Sequence, residues 1–240
     1  HGGWYSLSYA YAEVIKKVDA DLIHFTDARE SYSYKGNIPA IGTLHDDFCA
    51  RHKWNPIYYK DEYVDWMERW LYYSFVTLTE RKAMQKLAGL TANSNATAET
   101  VSKAYDIPPR KIKTIYLGMN LDCVPIDDQL EKERLHRPIM LLVGGNVQRK
   151  GLPVILKTMP ALLKEIPELI LQVIGKNQNI GRMKKLAGKL GMMESVEFIG
   201  WIPPEKIKTY YRKASVFVMP SLMEGFGLVF LEAMAQGLPV

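Results

Sequence analysis

The segment Val216-Phe217-Val218-Met219-Pro220-Ser221-Leu222-Met223-Glu224-Gly225-Phe226-Gly227-Leu228-Val229-Phe230-Leu231-Glu232 decides the fold. Residues 216–219 are continuously apolar, as in a buried strand, and Pro220 ends the run. Residues 227–236 have a helical pattern that stops at Gly237. Between them, Gly225 and Gly227 allow a sharp turn and a close approach of backbone to a ligand. Strand, glycine turn and helix form half of a parallel βα unit, and such sheets bind ligands at the carboxyl ends of their strands. The N–H groups of Gly227, Leu228 and Val229 start the helix and favour an anion such as a diphosphate. Glu224 precedes this helix, and Glu232 lies about 7 Å along it at the usual rise per residue. Two carboxylates so placed accept hydroxyls on opposite sides of one diphosphate. A nucleotide sugar has that layout of sugar, two phosphates and ribose. The same glycines also make an incomplete dinucleotide fingerprint, but Phe230 occupies the place of the third glycine and the segment lies outside a first βα unit. Glu232 alone would pass for a solvated helix residue.

Upstream, the same grammar repeats. Residues 139–143 and 169–174 are apolar strands, and residues 196–199 form a third. Helical stripes follow each, around Leu152, Ile155, Leu156 and Met159, then Met183, Leu186 and Ala187, then from Pro203-Pro204-Glu205 to Arg212-Lys213. Pro160 falls inside the first stripe and is expected to kink it. Alternating strand and helix means a parallel sheet covered by helices. The first half repeats this less cleanly, with a helix over 7–18, strands near 21–25, 39–44, 89–94 and 112–117, a long helical segment within 58–87 and a helix near 96–105. Residues 120–137 are charged and carry Pro125. We therefore expect two α/β domains, 1–119 and 138–240, joined by a linker at 120–137, with a ligand cleft between them.

The second cluster is Val143-Gly144-Gly145-Asn146-Val147-Gln148-Arg149-Lys150-Gly151. A glycine turn after a strand, with two cations before a helix, suits phosphate oxygens. Its spacing is not that of a P-loop, and taken alone it would pass for a solvated basic turn.

Together these segments resemble the large retaining GT-B glycosyltransferase superfamily known as family 4, or glycosyl transferases group 1. Phe198-Ile199-Gly200-Trp201-Ile202 and the stretch from Val216 to Glu232 carry the resemblance in the second domain. Asp21-Leu22-Ile23-His24-Phe25, Ala92-Asn93-Ser94-Asn95-Ala96-Thr97 and Ile115-Tyr116-Leu117-Gly118-Met119-Asn120-Leu121-Asp122 carry it in the first. The resemblance implies two Rossmann-like domains with parallel sheets facing across a cleft. It implies a metal-independent, retaining hexosyltransferase that moves a sugar from a nucleotide diphosphate donor to a sugar, lipid or small-molecule acceptor, with no cofactor. Glu224 would contact the donor sugar, Glu232 the ribose and Lys150 the diphosphate. The backbone of Gly227 and Leu228 would assist, in a donor site that also includes Gly144, Gly145, Arg149, Gly225 and Phe226. His45, in Thr43-Leu44-His45-Asp46-Asp47, would lie beside the reacting sugar and face the cleft toward Glu224; a lone histidine is otherwise most often structural. Gly145 departs from the pattern, because many members carry an arginine there. The family's glycine-rich amino-terminal strand is not found before His1, and a further strand is expected after Val240, so the chain is expected to be incomplete at both ends.

Composition narrows the other classes. Of 240 residues 48% are hydrophobic and 24% charged, which excludes disorder of the whole chain. The net charge of +5 favours anionic partners. Dispersed cations and the lack of a recognised module argue against nucleic acid. Two cysteines give no disulfide framework or metal spacing and fit a reducing cytoplasm. No apolar run is long enough to span a bilayer. Trp54, Tyr58, Tyr59, Tyr63, Trp66, Trp70, Tyr72, Tyr73 and Phe75 crowd one segment. Aromatic faces suit sugar rings or peripheral contact with a membrane. Tyr63, Trp66, Trp70 and Tyr73 share one helical face, so packing within the first domain is the preferred reading. Asp46-Asp47 and Asp127-Asp128 are read as capping or surface pairs, with no metal. A non-catalytic protein of the same fold, or an epimerase, is the competing class; the intact set of Glu224, Glu232 and Lys150 speaks against the non-catalytic one.

Overall fold

The computed structural model describes residues 3–47, 63–119, 123–125, 128–176 and 180–240. The chain divides into two compact units, His1–Gly118 and Met119–Val240.

The first unit contains α1 (Gly3–Ile15), β1 (Ile23–Phe25), β2 (Ala40–Leu44), α2 (Tyr63–Gln85), β3 (Gly89–Ala92), α3 (Asn95–Tyr105) and β4 (Ile112–Thr114). These strands pair in parallel in the order β1-β2-β3-β4. Along β2, Ala40, Gly42 and Leu44 are buried while Ile41 and Thr43 are half-buried, the period of two of a pleated strand with one better-covered face. Leu44, Leu87, Leu90, Val101 and Tyr105 build the core beneath that face. Ser94 caps α3 by accepting from the Thr97 N–H at 3.1 Å, and Asp106 ends it in the left-handed region at φ 55°.

The second unit contains α4 (Asp128–His136), β5 (Ile139–Val143), α5 (Leu152–Glu165), β6 (Ile170–Ile174), α6 (Ile180–Lys189), β7 (Val196–Gly200), α7 (Pro204–Lys213), β8 (Val216–Phe217) and α8 (Leu228–Ala235). The strands are parallel in the order β7-β6-β5-β8. All of β5 is buried, which explains its unbroken apolar run. Met140 and Leu142 join a core with Leu152, Leu156 and Met159. Ile139, Leu141 and Val143 join the opposite one with Tyr211, Phe217 and Leu238. The helix α5 is continuous through Pro160.

Residues 128–136, within the stretch expected as a linker, are helical, and Arg134 ties that helix to the second unit. Its guanidinium donates to Arg212 O at 2.9 Å, Gly237 O at 2.6 Å, Gln236 O at 3.0 Å and Tyr211 O at 3.4 Å. These are carbonyls at the carboxyl ends of α7 and α8, which have no partner inside their own helices. One buried cation thus fastens the ends of two helices.

Candidate functional site

In the second unit the carboxyl ends of the strands are stitched by backbone bonds. Gly144 N–H donates to Ile174 O at 2.9 Å and Gly175 N–H to Gly200 O at 2.7 Å. The turn after β5 then closes on the loop after β8. Gly151 has φ +84°, and a Cβ there would sit 2.1 Å from Pro220 O. Only glycine admits both that dihedral and that approach. Gly151→Ala is therefore expected to destabilise the protein by about 3 kcal/mol, the upper end for one substitution. Chemical denaturation followed by circular dichroism measures it; an unchanged midpoint would show that the two loops do not need this contact.

Four side-chain or backbone bonds continue the junction. Leu222 N–H donates to Arg149 O at 2.9 Å, and Arg149 Nη1 donates to Met223 O at 3.0 Å. Lys150 Nζ donates to both oxygens of Glu224, at 2.9 and 2.6 Å. Its side chain is 10% exposed and that of Glu224 26% exposed. Gly144 makes room for this lysine, since a Cβ there would lie 3.0 Å from Lys150 Cγ. Gly145 is exposed, and the nearest atom to an added Cβ is Lys176 O at 3.9 Å. The place at Gly145 is thus open.

The helix α8 starts at Gly227, in the left-handed region at φ 86°, with no side chain capping it. A Cβ on Gly227 would stand 2.8 Å from the Phe230 ring and 3.3 Å from Glu224 Cγ, so glycine keeps the loop folded onto the helix. Gly225 and Phe226 complete the loop and are half-buried. Glu232, one turn further, accepts from Tyr211 Oη at 2.8 Å. The sequence pattern does not mark Tyr211, which is one tyrosine in a helix whose other signals lie at its ends. The second unit therefore brings Gly144, Lys150, Glu224 and Gly227 together around two touching loops, with Glu232 on the helix they lead into. Arg149 clasps the loop with one guanidinium nitrogen.

His45 belongs to the first unit and follows β2 directly. Its Nε2 lies 2.7 Å from Thr26 O, and a carbonyl only accepts, so Nε2 carries the proton. Its own carbonyl accepts from Asn93 Nδ2 at 2.6 Å, which ties the end of β2 to the end of β3. Nearby, Arg29 holds Asp27 through Nε at 2.9 Å and Nη2 at 2.6 Å and stands 4.0 Å from Asp46. Those carboxylates hold the Arg29 guanidinium far above its ordinary range despite burial. Trp54, Tyr58 and Tyr59 lie outside the described residues. Among the described residues no helix is long and apolar enough to cross a membrane.

Comparison with known proteins shows the family of the chain. The model of glycosyl transferases group 1 matches residues 125–240, and that of glycosyltransferase family 4 matches residues 2–122. A D-inositol 3-phosphate glycosyltransferase of Streptomyces scabiei is 36% identical over 166 residues, covering 63% of this chain and 37% of the relative. An uncharacterized glycosyltransferase of Methanocaldococcus jannaschii is 33% identical, covering 61% and 40%. Among solved structures, sucrose-phosphate synthase from Thermosynechococcus elongatus superposes with a TM-score of 0.73 at 22% identity, over 99% of this chain and 60% of that one. The Anabaena protein HepE in complex with UDP gives 0.70 at 17%, over 97% and 62%. The chain thus spans about two fifths of these curated relatives and about three fifths of these structures. It belongs to the GT-B glycosyltransferases of group 1 and family 4, and its two parallel α/β units have that fold.

Proposed function

We propose, given that family, that the protein transfers a hexose from a nucleotide diphosphate donor with retention of anomeric configuration and without a metal. The observation that supports this most is the meeting of Lys150 and Glu224 at the carboxyl ends of β5 and β8. In the proposed reaction the bond between the anomeric carbon and the diphosphate oxygen breaks, and charge grows on the departing phosphate. Lys150 and the uncapped start of α8 lie where that charge would be stabilised more in the transition state than before it. Glu224 would pass from Lys150 to hydroxyls of the donor sugar, while Glu232 would take the ribose. His45 would stand beside the reacting sugar. The acceptor would attack from the leaving group's face and give its proton to the departing phosphate oxygen, so no separate base is required. HepE is solved with UDP and with UDP-glucose, and the named Streptomyces relative acts on inositol 3-phosphate. The donor here is accordingly proposed to be a nucleotide sugar and the acceptor a sugar, a polyol or a lipid hydroxyl.

The test is to incubate the full-length protein with UDP-, GDP- and ADP-hexoses and follow the anomeric proton by NMR, with and without a chelator. Release of the nucleoside diphosphate with retained configuration, unaffected by the chelator, is expected. An inverted product would overturn the mechanism, and loss of activity on chelation would overturn metal independence. The absence of turnover or binding with every donor would favour a non-catalytic interaction protein.

A further inference from the structure

Glu232 does not stand alone on α8. Tyr211, on α7, donates its phenol proton to Oε2 at 2.8 Å and is 1% exposed. Its ring packs edge-on against Phe217, with centroids 5.9 Å apart, and Phe217 packs edge-on against Phe230 of α8 at 5.3 Å. The backbone at Tyr211 is held as well, since Arg134 reaches Tyr211 O and also the end of α8. Ring, hydroxyl and backbone of this residue are therefore all fixed relative to the helix that carries Glu232.

A buried hydroxyl needs an acceptor, and the carboxylate supplies it. Burial, and then the charge and hydrogen bond of Glu232, raise the Tyr211 phenol far above its ordinary value, so it stays a donor at any physiological pH. The bond is asymmetric. Oε2 is committed to Tyr211, while Oε1 takes no hydrogen bond from the described residues. Glu232 remains half-buried, so its second oxygen is open to a ligand. A free glutamate on a helix samples several rotamers and loses that freedom on binding. A glutamate tethered through one oxygen has already lost it and presents the other in one direction.

We infer that Tyr211 is a positioning residue of the donor site: its hydroxyl locks one oxygen of Glu232 so that the other meets a ribose hydroxyl of the nucleotide. This rests on the proposed role of Glu232 as the ribose contact. The contrasting role is a strut that merely joins α7 to α8. The two differ in what they do to sugar discrimination. A strut affects stability and leaves the preference for a ribonucleotide unchanged; a positioning residue controls that preference even where the fold is intact.

The experiment is a calorimetric titration of the full-length protein with whichever of UDP, GDP and ADP binds most tightly, and with its 2′-deoxy counterpart. Wild type, Glu232→Ala, Tyr211→Phe and Phe217→Leu are compared, with inorganic pyrophosphate as a ligand that lacks ribose. Wild type should prefer the ribonucleotide by about tenfold, as expected for a hydrogen bond to a charged group. Glu232→Ala should abolish the preference. Tyr211→Phe, which keeps the ring, should reduce it to within about twofold while pyrophosphate affinity holds. Phe217→Leu should lower the thermal midpoint and keep the preference. If Glu232→Ala loses the preference and Tyr211→Phe retains it, Tyr211 is only a strut and the inference falls. If Glu232→Ala retains it, or if no nucleoside diphosphate binds, the reading of Glu232 falls first and takes the inference with it.

Discussion

Lys150→Ala is expected to lower kcat by about two to three orders of magnitude, the cost of removing one preorganised group that stabilises charge developing in a transition state. The lysine is nearly buried, and Gly144 leaves the space in which its stem lies. A cation held there faces whatever anion enters the two loops, in a setting where water screens it weakly. Binding of a nucleoside diphosphate should also weaken, by about tenfold or more for a hydrogen bond between charged groups. Arginine is not expected to rescue the variant, since its planar fork does not replace a point charge in a space lined for a narrow stem. Steady-state kinetics with the preferred nucleotide sugar measures both effects. A kcat within about threefold of wild type would remove Lys150 from the leaving-group site.

Glu224→Gln should separate two ligands with opposite signs. The Lys150 ammonium is bound by both Glu224 oxygens, so an incoming diphosphate must compete with that carboxylate for it. Residue types alone suggest that the free nucleoside diphosphate would be indifferent to the loss of Glu224. The ion pair changes that expectation. Without its counter-charge, Lys150 is left poorly solvated and should bind the nucleoside diphosphate more tightly, by about tenfold for each 1.4 kcal/mol released. Turnover of the nucleotide sugar should instead fall about a hundredfold, because the group proposed to hold the sugar hydroxyls has lost its charge. The variant should also lose some stability without ligand, though less than for a fully buried pair, because the glutamate side chain keeps 26% exposure. Calorimetry with the diphosphate alone, set beside kinetics with the sugar, tests both signs. Equal weakening of both ligands would contradict the displacement of Glu224 from Lys150.

How much of this was legible in the residues depends on distance along the chain. The unbroken run of β5 and the passage from β8 through Gly225 and Gly227 into α8 are local patterns, and they place the second unit's strands to within a residue or two. The apolar run over 216–219 predicts a strand through Met219, whereas β8 spans only Val216–Phe217, although Val218 N–H still bonds Leu141 O at 2.9 Å. The charged stretch before β5 reads as a linker because α4 has almost no apolar face, its one buried anchor being an arginine. Arg134 is buried by hydrogen bonding to helix-end carbonyls, and a binary apolar pattern cannot register that. Lys150 and Glu224 each stand out within their own loops, but they are 74 residues apart, and their pairing follows from the closure of two loops that only the fold brings together. Tyr211 lay hidden for the same reason. Its role is set by a partner 21 residues on, across a strand and a loop. In the first unit, His45 stands out only through the family resemblance, and its proton position follows from Thr26 O, which lies after a different strand.

If the loops after β5 and β8 of the second unit hold the diphosphate of a nucleotide sugar, their amides should respond to it. The most direct test is hydrogen–deuterium exchange of the full-length protein with and without a saturating nucleoside diphosphate, read peptide by peptide. Slowed exchange is expected over residues 144–151 and 224–232, where Gly227 and the following amides open α8, with the rest of the second unit's sheet unchanged. Saturable binding that protects other segments and leaves both of these loops exchanging as before would contradict it.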